Sequence, residues 1–144
     1  KGTIRPGSVG DRVTGFEDWL PTLASLAGAS APRGIDGIDF TPTLRGRRQD
    51  ERPFLYREHA GYGGQQMVRR GRWKLLREGV NRPAADSRPP GPFELYDLAS
   101  DPSERVDVAA RHPERVAALA ARLSREHVPS PLFPMRGIDP GPRR

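Results

Sequence analysis

Three histidines, His59, His112 and His127, are the side chains of this sequence best suited to acid–base chemistry or metal binding near neutral pH. They lack the close spacing typical of a zinc site, and the sequence has no cysteine that could complete one. His59 is the strongest functional candidate, because it lies with Tyr62 in the glycine-rich stretch HAGYGG (59–64). The alternative is a water-exposed loop histidine that has no role.

Two further groups of charged residues could do chemistry. Glu17, Asp18, Asp36 and Asp39 could act as general acids or bases, but helix capping and turn closure account for them at less cost. The Arg69–Arg70 pair could bind an anionic sugar. Because successive strand residues point to opposite faces of a sheet, at most one of the two would face a pocket.

The composition limits the classes of partner. The net charge is +6, and of the 24 basic residues only Lys1 and Lys74 are lysines. A basic balance is compatible with nucleic acid or anionic ligands. The arginines, however, are scattered among acidic residues and aromatics are only 7% of the chain, so a nucleic-acid partner is not favoured. No apolar run approaches the roughly 18 residues of a membrane span, so we expect no membrane partner.

The elements that must position these residues follow from periodicity. Residues 18–28 (DWLPTLASLAG) predict a short helix with Asp18 as N-cap and with its apolar stripe buried. Residues 35–46 predict a packed loop. Strands are predicted at 54–58, 65–70, 72–78 and 93–98, with Gly71 in a tight turn between the second and third. Residues 113–127 predict a terminal helix whose stripe (Val116, Leu119, Ala120, Leu123) covers the sheet.

The stretch ELYDLASDPSERVDVA (94–109) predicts a strand that runs into a corner. Asp101-Pro102 stops regular structure, because proline fixes its own φ and restricts the residue before it. Asp97 and Asp101 can accept backbone N–H groups and close the turn. We therefore expect a structural corner between the last strand and the terminal helix.

Four stretches in one order resemble the C-terminal end of the sulfatase family, arylsulfatase-like members of the alkaline phosphatase superfamily. They are DWLPTLASLAG (18–28), DGIDFTPTLRG (36–46), VRRGRWKLL (68–76) and ELYDLASDPSERVDVA (94–109). One departure is Asp107, where the family usually has Asn; an aspartate can close the same turn. The KGT at 1–3 matches the letters of a family segment whose lysine contacts sulfate, but Lys1 stands too close to Asp18, so we assign it to a turn.

The resemblance implies an α+β fold, a small four-stranded antiparallel sheet packed against a C-terminal helix and preceded by a helix and loop from the edge of a large α/β domain. The expected boundaries are 1–50 for that edge, 51–128 for the small subdomain and 129–144 for an irregular tail. The expected partners are the rest of the sulfatase domain and a sulfated small molecule or glycan.

The resemblance also implies chemistry that this sequence does not carry. Sulfatases use a formylglycine made from Cys or Ser in a Cys/Ser-x-Pro-x-Arg motif, and a calcium ion that neutralises the sulfate. The nearest match, SRPPG (87–91), has Gly91 where Arg is required. We therefore expect no catalytic or metal-binding residue here, with calcium and formylglycine in a missing N-terminal part, and His59 as a substrate-binding residue. The alternatives are an anionic-glycan or nucleic-acid binding module, an inactive sulfatase-like scaffold, or a related phosphodiesterase or phosphatase.

Overall fold

The computed structural model describes residues 4–83 and 85–139, so Lys1 and the end of the expected tail (140–144) lie outside the described residues. The chain forms two compact units, which divide after Leu55.

The first unit is built on two short helices. A 3-10 turn (Phe16–Asp18) leads into α1 (Trp19–Leu26), and α2 spans Thr41–Leu44. The helix predicted at 18–28 is present, and Gly28, at φ +73°, follows its end. The expected burial of its leucine stripe is wrong, since Leu20 and Leu23 are 54% and 55% exposed.

The buried residues of α1 are Pro21 and Thr22, and not its leucines. Thr22 is fully buried, donates to the Asp18 carbonyl at 2.6 Å, and accepts from the Phe40 backbone N–H at 3.0 Å. Asp18 occupies the N-cap position, but its side chain makes no capping hydrogen bond to α1, which corrects the capping role expected of it. It accepts from the Gly15 N–H at 2.8 Å and from the Ile38 N–H at 2.7 Å, and it also pairs with Arg52.

The second unit is a four-stranded sheet in the order β1-β2-β3-β4. Its strands are β1 (Leu55–His59), β2 (Gln65–Arg70), β3 (Trp73–Glu78) and β4 (Phe93–Asp97), and β3 pairs antiparallel with both neighbours. Arg70 pairs with Trp73, so Gly71 and Arg72 form a two-residue turn, and Gly71 has φ +56° as predicted. Val68, Leu75 and Leu95 are fully buried at the centre.

The terminal helix α3 (Pro113–Glu126) packs on β2 and β3. Pro113 is the first residue of α3. Proline suits this position because a backbone N–H in the first turn would have no intrahelical partner. Leu119 and Leu123 are buried, as the predicted stripe requires. The α+β fold, with an antiparallel sheet and a C-terminal helix, is therefore confirmed. No helix within residues 4–83 and 85–139 is long and apolar enough to cross a membrane.

Side-chain carboxylates close the corner between β4 and α3. Asp101 accepts from the N–H groups of Arg105 and Val106, at 2.7 and 2.8 Å. Asp107 Oδ1 accepts from the Leu95 N–H at 2.9 Å and the Ala109 N–H at 2.8 Å. Asp97 Oδ1 accepts from the Ala99 N–H at 3.2 Å, so the turn-closing role predicted for Asp97 and Asp101 is confirmed. Asp107 closes the same corner, as expected of an aspartate at this position.

Candidate functional site

His59 is the last residue of β1, and a short glycine-rich loop follows it. The Asn81 side chain holds this loop by donating to the Ala60 carbonyl at 3.0 Å, and the Asn81 N–H donates to the Gly63 carbonyl at 2.7 Å. Gly64 has φ +83°, and a Cβ there would lie 2.4 Å from the Asn81 nitrogen. Only glycine therefore permits this close approach between the loop and residue 81.

The His59 ring borders a cavity of about 480 Å³, here called the His59 cavity. Its lining residues come from the end of β1 with its loop and from the segment after α3; they are Glu58, His59, Ala60, Gly61, Val128, Ser130, Phe133 and Met135. Met135 is buried at 2% exposure, so the segment after α3 forms a packed wall. The walls are mostly apolar, and His59 supplies a polar group beside them, a composition common in ligand sites.

A partly buried polar cluster adjoins this cavity through Glu58, which is one of its lining residues. His127 Nδ1 is 2.6 Å from Glu58 Oε1, and His127 Nε2 is 2.8 Å from Asp139 Oδ1. The His127 side chain is only 9% exposed. Ionised carboxylates can only accept hydrogen bonds, so the ring satisfies both of them when both of its nitrogens carry a proton. We call Tyr56, Glu58, Gln66, His127 and Asp139 the His127 cluster.

The rest of the cluster completes the hydrogen bonding of Glu58. The Tyr56 hydroxyl donates to Glu58, and Gln66 donates to the Tyr56 oxygen at 3.0 Å and to Glu58 at 3.1 Å. Burial, together with the hydrogen bond to the Glu58 carboxylate, raises the pKa of Tyr56 well above its usual value. Because Glu58 Oε1, the Tyr56 hydroxyl and both His127 ring nitrogens are engaged within the cluster, we assign the cluster a positioning role.

The His127 cluster also fixes the segment that forms the far wall of the His59 cavity. Asp139 Oδ2 accepts from the Met135 N–H at 2.6 Å, and the Asp139 N–H donates to the Met135 carbonyl at 2.8 Å. Sequence reasoning placed His127 near the helix end but missed Glu58 and Asp139. Glu58 stands 69 residues before His127 in the chain, so no local spacing could reveal their contact.

The other candidates are not gathered at this cavity. His112 lies at the start of α3, where its ring meets the Trp73 ring edge-on at 5.0 Å. Asp39 Oδ1 accepts from the Thr41 N–H at 2.7 Å, a turn-closing contact like that expected of the acidic group. Arg69 donates to the Gly71 carbonyl at 2.9 Å, and Arg70 is exposed.

The described residues do not fit the sulfatase cofactors. Among them, no three His, Cys, Asp or Glu side chains are grouped so that they could hold a metal ion. The sequence has no cysteine, and SRPPG lacks the arginine of the formylglycine motif. No step of a sulfatase reaction is therefore assigned to a group bound within these residues.

Comparison with known proteins gives the family. No family model matches the chain. A delta 4,5-hexuronate-2-O-sulfatase from Bacteroides thetaiotaomicron is 37% identical over 64% of this chain, and human arylsulfatase A is 32% identical over 96% of it. The solved structure of a 2-O GAG sulfatase matches 75% of the chain with a TM-score of 0.60 and 34% identity. The chain is related to the sulfatases. This likeness agrees with the resemblance of its four motifs to the C-terminal portion of that family.

The likeness covers only part of each sulfatase. The chain spans 18% of the hexuronate sulfatase, 32% of human arylsulfatase A and 23% of the solved structure. The activity and substrates of these larger proteins can therefore only be proposed for this chain.

Proposed function

We propose that this chain is part of a sulfatase that hydrolyses sulfate esters, and that it completes the fold and forms one wall of the substrate cleft. The observation that carries the proposal is the His59 cavity in a chain whose relatives are sulfatases. A sulfate ester bound at this wall would present anionic oxygens, and an imidazole N–H can donate to them.

The substrate class follows from the same relatives. The hexuronate sulfatase and the 2-O GAG sulfatase are named for sulfated sugars. A sulfated glycan is therefore the substrate class we assign to the whole enzyme, with the sugar ring against the apolar part of the cavity. Phe133, at 69% exposure, offers an aromatic face for such a ring.

The reactive groups would be supplied outside this chain. The resemblance to sulfatases implies a formylglycine and a calcium ion, but the described residues hold no group of three possible metal ligands, and SRPPG lacks the arginine of the formylglycine motif. We propose that both belong to another part of the enzyme. The 144-residue chain alone should then show no turnover of an aryl sulfate, and a measurable, metal-dependent turnover by it would overturn this division of roles.

The test of the proposal is His59→Ala in the full-length enzyme. If His59 contacts substrate, we expect kcat/KM to fall at least tenfold, which corresponds to about 1.4 kcal/mol of lost transition-state stabilisation. His112→Ala is the matched control, because it removes the histidine at the start of α3, which does not line the cavity. An unchanged kcat/KM for His59→Ala would refute the substrate contact.

A further inference from the structure

A second cavity, of about 290 Å³, is lined by arginines from two separate segments. Arg82 and Arg88 come from the loop between β3 and β4, and Arg136 comes from the turn after Met135. Asp86 is the acidic residue among the lining residues. Three arginines and one carboxylate therefore line the same cavity. We call this cavity the Arg82 pocket.

The backbone that frames the Arg82 pocket is closely packed. The Gly137 N–H donates to the carbonyl of the fully buried Val80 at 2.9 Å, and the Gly91 N–H donates to the Glu78 carbonyl at 2.8 Å. A Cβ at Gly137 would lie 3.0 Å from Pro90, which also lines the pocket. These contacts hold the two arginine-bearing segments beside each other.

The positive charge of the pocket is only partly neutralised. Arg88 donates to both oxygens of Asp86, at 2.8 and 2.7 Å, and this pairing holds the pKa of Asp86 far below its usual range. Asp86 is therefore ionised but already engaged. Arg82 Nη1 lies 3.6 Å from Asp86 Oδ2, so Arg82 forms an ion pair with this carboxylate without a hydrogen bond.

The position of the Arg82 guanidinium is fixed by its surroundings. Its Nε is buried and has no hydrogen-bond partner among the described residues. Its guanidinium packs against Gly79, where a Cβ would lie only 2.5 Å from Nε. The group is thus held in place by packing, and a planar guanidinium fixed in this way is well suited to bind an oxyanion.

We propose that the Arg82 pocket binds a sulfate group of an acidic glycan, at a position separate from the His59 cavity. Arg82, Arg88 and Arg136 bring three positive charges to a lining that holds the single negative charge of Asp86, so the pocket keeps a net positive charge. The pocket as an anion site rests on its own residues, while the choice of a sulfated glycan rests on the proposed function.

The experiment is a titration of the 144-residue chain, followed by backbone amide NMR. Sodium sulfate is compared with sodium chloride at equal ionic strength, and a sulfated hexuronate disaccharide is then titrated in the same way. We expect saturable shifts of the Gly79 and Gly137 amides with sulfate and disaccharide but not with chloride. We expect Arg82→Gln and Arg136→Gln each to weaken binding at least fivefold.

The matched control is Arg105→Gln, which removes the same charge from an exposed position outside the pocket. Equal loss of binding in this control, or equal shifts with chloride, would show general charge attraction and overturn the site. Sulfate binding without disaccharide binding would overturn the glycan assignment. If Arg82→Gln does not fold by circular dichroism, Arg136→Gln decides. None of these outcomes depends on the kcat/KM of His59→Ala, so the two proposals fail separately.

Discussion

The Glu58 carboxylate and the His127 ring lie 2.6 Å apart, and this contact joins the strand that ends in His59 to the residue that follows α3. The second ring nitrogen reaches Asp139, so one imidazole connects three segments of the chain. Those same segments form the walls of the His59 cavity. The shape of the cavity therefore depends on His127 and Asp139, which are not among its lining residues.

His127→Ala should destabilise the second unit, because it leaves two partly buried carboxylates without their shared partner. We expect a loss of about 2 kcal/mol in the free energy of unfolding, below the about 3–5 kcal/mol for breaking a fully buried pair, since Glu58 and Asp139 keep some solvent contact. Urea denaturation measures it. His59→Ala, which removes an exposed histidine, is the control, and equal effects of the two variants would contradict the role of the cluster.

Gly64→Ala should displace the loop after His59. Its Cβ would meet the Asn81 nitrogen at 2.4 Å, and the backbone also has φ +83°. Gly63→Ala is a close control, because φ there is +82° but nothing lies within 4 Å of the added carbon. We expect Gly63→Ala to lower the free energy of unfolding by about 1 kcal/mol through backbone strain alone, and Gly64→Ala to lower it by at least twice as much. Thermal unfolding of the two variants separates clash from strain, and equal losses would show that the close approach to Asn81 is unimportant.

Asp107→Asn should be tolerated, whereas Asp107→Ala should not. Both backbone contacts of Asp107 are made by Oδ1, and the amide oxygen of asparagine can accept the same two N–H donors. We expect the asparagine variant to lie within about 0.5 kcal/mol of the parent chain and the alanine variant to lose about 1–2 kcal/mol, as for a lost capping group. Chemical denaturation gives both values. A large loss for asparagine would mean that the charge of Asp107, and not its geometry, closes the corner.

Asp18 should make the first unit sensitive to acid. Burial opposes its ionisation, but hydrogen bonds from Arg52, Gly15 and Ile38 outweigh burial and hold its pKa below the 3.8 usual for aspartate. A lowered folded-state pKa gives stability that is present above the unfolded value and is lost as the pH falls through the folded value. Stability should therefore decline as the pH falls from about 4.

The Asp18→Asn variant isolates this effect. It should cost about 2 kcal/mol at neutral pH, because Arg52 loses a charged partner in a buried position, and its stability should depend less on pH below about 4. Asp36→Asn, an exposed change in the same unit, is the control. Unfolding followed at a series of pH values measures both variants. An acid response in Asp18→Asn as steep as in the parent chain would assign the acid sensitivity to other carboxylates.

The fold was predictable wherever local chemistry decides it. Gly71 marks a two-residue turn, Asp101 closes its own corner, and Leu119 with Leu123 forms a stripe at helical spacing, so each element could be inferred within a short window. The burial of α1 was not predictable in this way. The backbone N–H groups of residues 38 and 40 need hydrogen-bond acceptors on the packed side of α1, and Asp18 and Thr22 supply them. Polar side chains, and not the leucines, therefore lie on that side.

The candidate site was predictable only in part. His59 was found because a histidine beside several glycines is an unusual local pattern. Its supporting residues were not, since Glu58, His127 and Asp139 meet only after the sheet and α3 have formed. The Arg82 pocket was missed for the same reason: Arg136 reaches the loop of Arg82 through the Gly137–Val80 contact, which leaves no trace in the spacing of the arginines.

The buried Met135 and its link to Asp139 have a practical consequence for handling the protein. Residues 129–139 contain no helix or strand and carry several prolines. An experimenter who shortens the protein would therefore be inclined to remove them. Cleavage after residue 128 would delete the second partner of His127 and one wall of each cavity at once. In the native protein, limited proteolysis should spare the chain at the buried Met135 and cut first near the exposed Leu132 and Phe133. A truncated product should lose ligand binding while keeping its strands and helices.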